Sequence, residues 1–299
     1  MMTPAELSQE RILFTCLDWG SGHTARSVAL LKQLQEQGNE LFIWCTGAQK
    51  AVFECYGIRA AYLENEGFQF RFKGDGNFTS EMRRNALGFL RRIKNERVYA
   101  EQLVTEHHIS VVLSDHCYGF RSEQVPSVFI THQVSLPFKA GWLAQSIHRR
   151  WMKRFDQVWI MDDAEKRLAG KLSDAIEKST YIGFYSRFNG QEISVVPGKV
   201  VGIVSGPEPY AEQLFQWILE QYGTENLVLV TSKVYSEVPE KVTIITDWKQ
   251  ADAEIASAEM LISRNGYSTL MDLEFLQKKA VLIPTPGQLE QEYLFQLRM

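Results

Sequence analysis

An apolar run, Ile12 to Leu17, leads into the glycine-rich stretch DWGSGHTARS, Asp18 to Ser27, and then into an amphipathic run, Val28 to Leu34. A strand feeding a glycine turn and a helix constrains this chain more than any other feature. It presents backbone N–H groups at a helix start, a natural anion site. Gly20 and Gly22 are expected to supply positive φ and close backbone approach. His23 falls near the helix start, where a titratable base would face whatever the turn binds. The same pattern also serves as a plain connection in α/β proteins, with the histidine as a cap or a packed residue. It is not a Walker A loop, because no Lys-Ser/Thr pair follows the glycines. Nor is it G-x-G-x-x-G, because Ala25 stands at the third glycine position.

The alternation continues. Strands are predicted at Arg11–Cys16, Glu40–Cys45, Val111–Ser114, Ser127–Thr131 and Gln157–Met161. Helices are predicted at Thr24–Gln37, Ala48–Tyr56, Ser80–Glu106 and Ala140–Phe155. Strands separated by helices imply βαβ units and a parallel sheet, whose ligands gather at the carboxyl ends of the strands. The turn Asp18–His23, the pair Asp115–His116 and the pair Thr131–His132 all fall at such ends. The stretch RFNGQEISVVPGK, Arg187 to Lys199, carries turn signals and reads as a linker. Beyond it strands are predicted at Val200–Val204, Leu227–Thr231, Val242–Ile245, Met260–Ser263 and Ala280–Ile283, with helices at Ala211–Tyr222 and Thr269–Leu276. The expected fold is α/β: two Rossmann-like domains, 1–190 and 198–299, with parallel sheets facing across a cleft.

Composition narrows the function. A length of 299 residues suits two domains, and 45% hydrophobic with 23% charged residues is typical of a globular chain. A net charge of −4 does not advertise nucleic-acid binding. The N-terminus lacks a signal-peptide pattern and no apolar run approaches membrane-spanning length, so a cytoplasmic location is expected. Cys16, Cys45, Cys55 and Cys117 show no C-x-x-C pairing, which argues against structural zinc and for free thiols. There is no D-x-D motif to hold a divalent ion.

The second half has two further turns of interest. Ser205-Gly206 follows a strand at a helix start and reads either as a phosphate cradle or as an ordinary turn. SRNGYSTLMD, Ser263 to Asp272, again runs strand, glycine turn, helix. Gly266 allows the turn, while Ser268 and Thr269 could cap the helix or donate to phosphate oxygens. Asp272 lies three residues beyond Thr269 on the same helix face. It could accept both hydroxyls of a ribose diol, or complete a capping box with Thr269.

Together WGSGHTARS and ITDW…SRNGYSTLMDLEFLQKKAVLIPTPGQLEQEYLFQL resemble nucleotide-sugar glycosyltransferases of the two-Rossmann-domain type. The nearest group is family 28, which contains the N-acetylglucosaminyltransferase of peptidoglycan precursor synthesis. The first loop is also similar to UDP-sugar hydrolases of pseudaminic acid synthesis, whose G-x-G-H-x-x-R pattern falls on Gly20, Gly22, His23 and Arg26. Arg264, Gly266, Thr269 and Asp272 stand in the family's order, although Glu is commoner than Asp at the last position.

The resemblance implies a UDP-linked donor, with Ile244 to Asp247 (Ile245 and Asp247 above all) near the base. It implies Ser205, Gly206, Ser268 and Thr269 at the diphosphate and Asp272 at the ribose. It places Gln291 near the sugar, where Glu292 replaces a second Gln. It implies no metal or cofactor and an inverting displacement. His23 is the first choice of base, with Asp115 and His116 as second choices. Hydrolysis of the donor, or nucleotide-sugar binding without turnover, are the alternatives. Members of the group usually continue beyond the point where this chain stops, so the second domain is expected to be incomplete.

Two basic stretches lie in the first half. Lys139 to Phe155 holds five cations and no acid, interleaved with Trp142, Trp151 and Phe155; Arg83 to Arg97 holds six cations. They read as a peripheral membrane contact through 139–155 and a site for a lipid-linked or phosphorylated acceptor, or else as solvated helix faces.

Overall fold

The computed structural model describes residues 2–67, 73, 84–223, 226–233, 235 and 238–299. The first sheet contains β1 (Arg11–Cys16), β2 (Glu40–Cys45), β3 (Ala61–Glu64), β4 (Val111–Asp115), β5 (Ser127–Thr131), β6 (Gln157–Ile160) and β7 (Ser179–Tyr181). Its helices are α1 (Gly22–Glu36), α2 (Gly47–Cys55), α3 (Ala86–Glu106) and α4 (Trp142–Met152). The second sheet contains β8 (Val200–Val204), β9 (Leu227–Thr231), β10 (Thr243–Ile245), β11 (Met260–Arg264) and β12 (Lys279–Ile283). Around it lie α5 (Tyr210–Tyr222), α6 (Trp248–Ser257), α7 (Tyr267–Leu276) and α8 (Leu289–Gln296).

Strand order is β3-β2-β1-β4-β5-β6-β7 in one sheet and β10-β9-β8-β11-β12 in the other, with every pairing parallel. Parallel strands are covered on both faces, which is why they read as unbroken apolar runs: β4 and β5 are buried throughout. Each sheet therefore reverses direction once, between β1 and β4 and between β8 and β11. Crevices for ligands open at those reversals.

Several boundaries move from the sequence reading. α1 begins at Gly22, which brings His23 into its first turn. α7 begins at Tyr267, with Gly266 as its N-cap and no side-chain cap, so Thr269 lies inside the helix and the expected capping box with Asp272 does not form. β3, β7 and α6 were not expected. β3 and β7 are short, half-exposed edge strands, and half of the residues of α6 are polar. The predicted start of α3 at 80–83, and Arg83 with it, lie outside the described residues.

The two sheets share one continuous core. Val28 and Leu31 of α1 belong to the same buried cluster as Leu270 and Met271 of α7 and Leu294 of α8. The Tyr293 hydroxyl accepts from the Lys171 N–H at 3.0 Å, and Tyr267 donates to the Met161 carbonyl at 2.5 Å. A buried ion cluster reinforces the junction. Arg187 donates to Asp252 through Nε and to Asp272 through Nη1, each at 2.7 Å, while Tyr56, at the C-cap of α2, donates to Asp252 at 2.6 Å.

α4 is seated by His148. Its Nε2–H donates to the Gln133 carbonyl at 2.8 Å, which leaves Nδ1 to accept from the Tyr118 hydroxyl at 2.7 Å. Burial pushes His148 down to about 4. The unfolded chain therefore takes up this proton more readily than the folded one. The stability is fully present above pH ~6.5 and is lost as pH falls through 4, by about 3 kcal/mol. Urea midpoints measured from pH 7 to pH 4 should fall across that window, and less so in His148→Gln; a flat profile would contradict this account.

Candidate functional site

Both sides of the first reversal carry titratable groups. Cys16 at the end of β1 pairs with Asp115 at the end of β4, and the Leu17 N–H bonds the Asp115 carbonyl at 2.9 Å. The following turn, with Gly20 at φ +73°, folds the chain back so that α1 starts over Asp115. Gly22 does not need a positive φ. A Cβ there would approach the Ser268 Oγ to 3.1 Å, so its value is close approach to the second domain.

His23 Nδ1 lies 3.1 Å from Asp115 Oδ1. A carboxylate accepts, so Nδ1 carries the proton and Nε2 is left with a lone pair. Arg26, three residues on and therefore on the same helix face, grips Asp115 with Nε on Oδ2 at 2.9 Å and Nη2 on Oδ1. Burial would raise the Asp115 carboxyl, but Arg26 and His23 overcome it and hold it far below the carboxylate range. Burial, then Arg26, push His23 below its ordinary value against the pull of Asp115. The result is a neutral imidazole oriented by an ionised carboxylate.

His116 sits beside this pair, its ring centroid 5.1 Å from that of His23 and its backbone in the left-handed region at φ 61°. Such a conformation in a bulky residue is a strain that concentrates at functional sites. His116 Nε2 is engaged by the Thr131 hydroxyl at 2.6 Å, and burial keeps the ring well below its ordinary value. It forms a wall beside His23, whereas Asp115 is the orienting group.

The second domain meets this site directly. Ser268, in the first turn of α7, donates to the Gly22 carbonyl at 2.9 Å. Thr269 Oγ1 lies 3.5 Å from Ser263 Oγ. Gly206, at φ +112°, and Ser205 follow β8 across the second reversal. Arg264 at the end of β11 is buried; its Nη2 donates to the Tyr210 carbonyl at 2.7 Å, while its Nε has no partner. No carboxylate among the described residues pairs with it, and burial lowers its pKa.

Other expected donor residues have partners within the protein. Both oxygens of Asp272 are engaged, one by the Ser186 hydroxyl at 2.6 Å and the other by Arg187. Asp247 Oδ1 caps α6 by accepting the Gln250 N–H at 2.9 Å, and Ile245 ends β10 beside it. The Gln291 side chain accepts the Thr285 N–H at 2.8 Å, and Glu292 accepts the Gly287 N–H at 3.0 Å. No group of three metal-binding side chains occurs among the described residues. Cys16, Cys45 and Cys117 are buried free thiols, and Cys55 is free and half-buried.

Two participants, Tyr267 and Glu290, have no signal in the sequence, and His132 is marked there only by its place at a strand end. The His132 ring stacks on Tyr267 with centroids 3.9 Å apart. Arg26 Nη1 lies 3.0 Å from His132 Nδ1, and His132 Nε2 lies 2.9 Å from Glu290 Oε1. Only the histidine at a strand end was a signal in the sequence. Tyr267 and Glu290 come from the other domain, and no spacing connects them to it.

Comparison with known proteins agrees with this architecture. The family model described as glycosyltransferase family 28 C-terminal domain matches residues 200–294. An uncharacterized glycosyltransferase of Methanosarcina mazei is 25% identical over 312 residues, covering 94% of this chain and 81% of that protein. A UDP-N-acetylglucosamine–N-acetylmuramyl-(pentapeptide) pyrophosphoryl-undecaprenol N-acetylglucosamine transferase of Methylobacterium radiotolerans is 27% identical over 105 residues, 35% of this chain and 28% of that protein. Among solved structures, the spinosyn rhamnosyltransferase SpnG complexed with thymidine diphosphate superposes with a TM-score of 0.63 at 15% identity, covering 96% of this chain and 84% of that one. The chain is a glycosyltransferase of the two-Rossmann-domain type, with a second domain like that of family 28.

Proposed function

We propose that this glycosyltransferase moves a sugar from a UDP-linked donor to a hydroxyl acceptor by direct displacement, with His23 as the base. The observation that carries this reading is the His23–Asp115 contact of 3.1 Å at the sheet reversal. Nε2 takes the proton of the acceptor hydroxyl as its oxygen attacks the anomeric carbon. The bond from that carbon to the diphosphate oxygen breaks, and its electron pair leaves with the diphosphate. One displacement inverts the anomeric centre. The N-terminus of α7, the Ser205-Gly206 turn and the uncompensated charge of Arg264 supply positive potential for the leaving group without a metal. For the diphosphate to enter, Ser268 must exchange the Gly22 carbonyl for a phosphate oxygen. Two relatives support a nucleoside-diphosphate donor: one is named a UDP-N-acetylglucosamine transferase and one holds thymidine diphosphate.

Melting temperatures of the purified chain against a panel of NDP-sugars and nucleotides test the donor. A selective rise with UDP-sugars is expected, of the size that binding to the native state produces. No response to any nucleotide would remove the donor assignment.

The acceptor side is read as a membrane-facing surface on the cytoplasmic face. No helix among the described residues is long and apolar enough to cross a membrane. On α4 and the turn before it, Phe138 is fully exposed and Trp142 is 81% exposed, beside Leu143 and Ile147. Trp151 packs on Phe89 of α3, whose neighbours Leu87 and Leu90 are also exposed. Apolar side chains amid cations suit an anionic bilayer, and the Methylobacterium relative is named for an undecaprenol-linked acceptor. The chain should float with phosphatidylglycerol vesicles and not with phosphatidylcholine ones, and Phe138→Ser with Trp142→Ser should abolish flotation. Equal behaviour with both vesicle types would contradict this.

A further inference from the structure

The base of the first domain is connected to the second domain by an unbroken hydrogen-bonded chain. Asp115 links His23 to Arg26, Arg26 reaches His132 Nδ1 at 3.0 Å, and His132 Nε2 reaches Glu290 at 2.9 Å. The proton positions follow from the partners. A guanidinium only donates, so His132 Nδ1 must accept from Arg26. His132 then carries its proton on Nε2 and donates it to the Glu290 carboxylate. Tyr267, stacked on the same ring, holds His132 in the plane that permits both bonds.

We propose that Glu290 is a positioning residue for the base: acting through His132 and Arg26, it completes the setting of His23 only when the two domains are closed. This rests on the reading of His23 as the base. Asp115 and Arg26 compensate each other, but both also serve a neighbour. With Glu290 in place, Arg26 shares its charge with a well-oriented His132, and Asp115 keeps a lone pair for His23. Without Glu290, His132 Nε2–H is buried with no acceptor, and the ring is free to turn Nδ1 away from Arg26. The guanidinium then falls wholly on Asp115, in competition with His23. A negative charge near the base is removed at the same time.

Both effects have one sign. The groups facing His23 are Arg26 on its own helix, Asp115 and His116 at the end of β4, His132 at the end of β5, and Glu290 on α8. Arg26 and His132 oppose protonation of His23, whereas Asp115 favours it. Glu290 is itself held low by His132, His23 and Arg26 despite burial, so it is the second anion of this group. Removing it makes His23 harder to protonate and a weaker base. The device would keep the base weak while the domains are apart, when only water could take the sugar.

The test needs no substrate. The full chain labelled with 15N-histidine is titrated from pH 4 to pH 9, with long-range 1H–15N spectra reporting the tautomer and midpoint of each ring. His23→Gln and His132→Gln assign the signals. In the wild-type protein His132 should be the Nε2–H tautomer and His23 the Nδ1–H tautomer. In Glu290→Gln, whose amide oxygen can still accept from His132, the loss of charge alone should lower the His23 midpoint by about one pH unit, the scale of one charge removed at protein-like screening. An unchanged midpoint in folded Glu290→Gln overturns the proposal. So does an Nδ1–H tautomer of His132 in the wild-type protein, a result that stands even if the variant does not fold. Because these spectra do not depend on turnover, the relay can fail while sugar transfer by His23 survives, and the reverse.

Discussion

His23→Ala is expected to lower sugar transfer by about 10²–10⁴-fold, the usual contribution of a general base, while donor binding persists. Transfer is followed by released nucleoside diphosphate in the presence of acceptor, and binding by the rise in melting temperature. The separation follows from where His23 sits. Its ring points at Asp115 and its Nε2 is available to an acceptor, whereas the proposed diphosphate contacts come from α7, the Ser205-Gly206 turn and Arg264. Asp115→Asn should also be slow, because an amide no longer selects the Nδ1–H tautomer. It should be less stable as well, because Arg26 keeps its charge and loses its buried counter-ion. Full activity in a folded His23→Ala protein would remove His23 from the mechanism.

The second large effect concerns stability. Arg187→Met should destabilise the protein by about 3–5 kcal/mol, the cost of leaving buried charges without a partner. Arg187, Asp252 and Asp272 are all largely shielded from water, and this one cation pairs with both acids. The Asp272 carboxyl is already raised by burial despite Arg187, so losing the arginine would force protonation or unfolding. Adding Asp252→Asn and Asp272→Asn to Arg187→Met should recover much of the loss, since the cost lies in the unpaired charges. Urea midpoints of the three proteins read this directly. A loss below about 1 kcal/mol for the single variant would mean that the cluster is not holding the junction.

These two predictions draw on different kinds of information. The His23 site was legible in the sequence in outline: a glycine turn after an apolar run, and polar residues at strand ends that a parallel sheet brings to one edge. The pairing of His23 with Asp115 was not, because it depends on β1 and β4 being neighbours, and strand order is not written in periodicity. The Arg187 cluster could not be read at all. Asp272 has the spacing of a ribose-binding carboxylate, but the linker folds Ser186 and Arg187 onto it. Asp247, read as near the nucleobase, also caps α6, a contact that its spacing from Gln250 allows and the sequence reading did not name.

What the sequence by itself determined is the class of fold and the strand-end turns where polar groups gather. Short apolar runs alternating with helical segments make βαβ units with buried parallel strands, and glycine turns at their ends leave N–H groups free for an anion. What only the tertiary structure decided is which polar groups touch. The His132–Glu290, Ser268–Gly22 and Arg187–Asp272 contacts each join residues at least 85 positions apart. Hydrogen bonds act over about 3 Å, so packing of the two domains, and no local pattern, selects their partners.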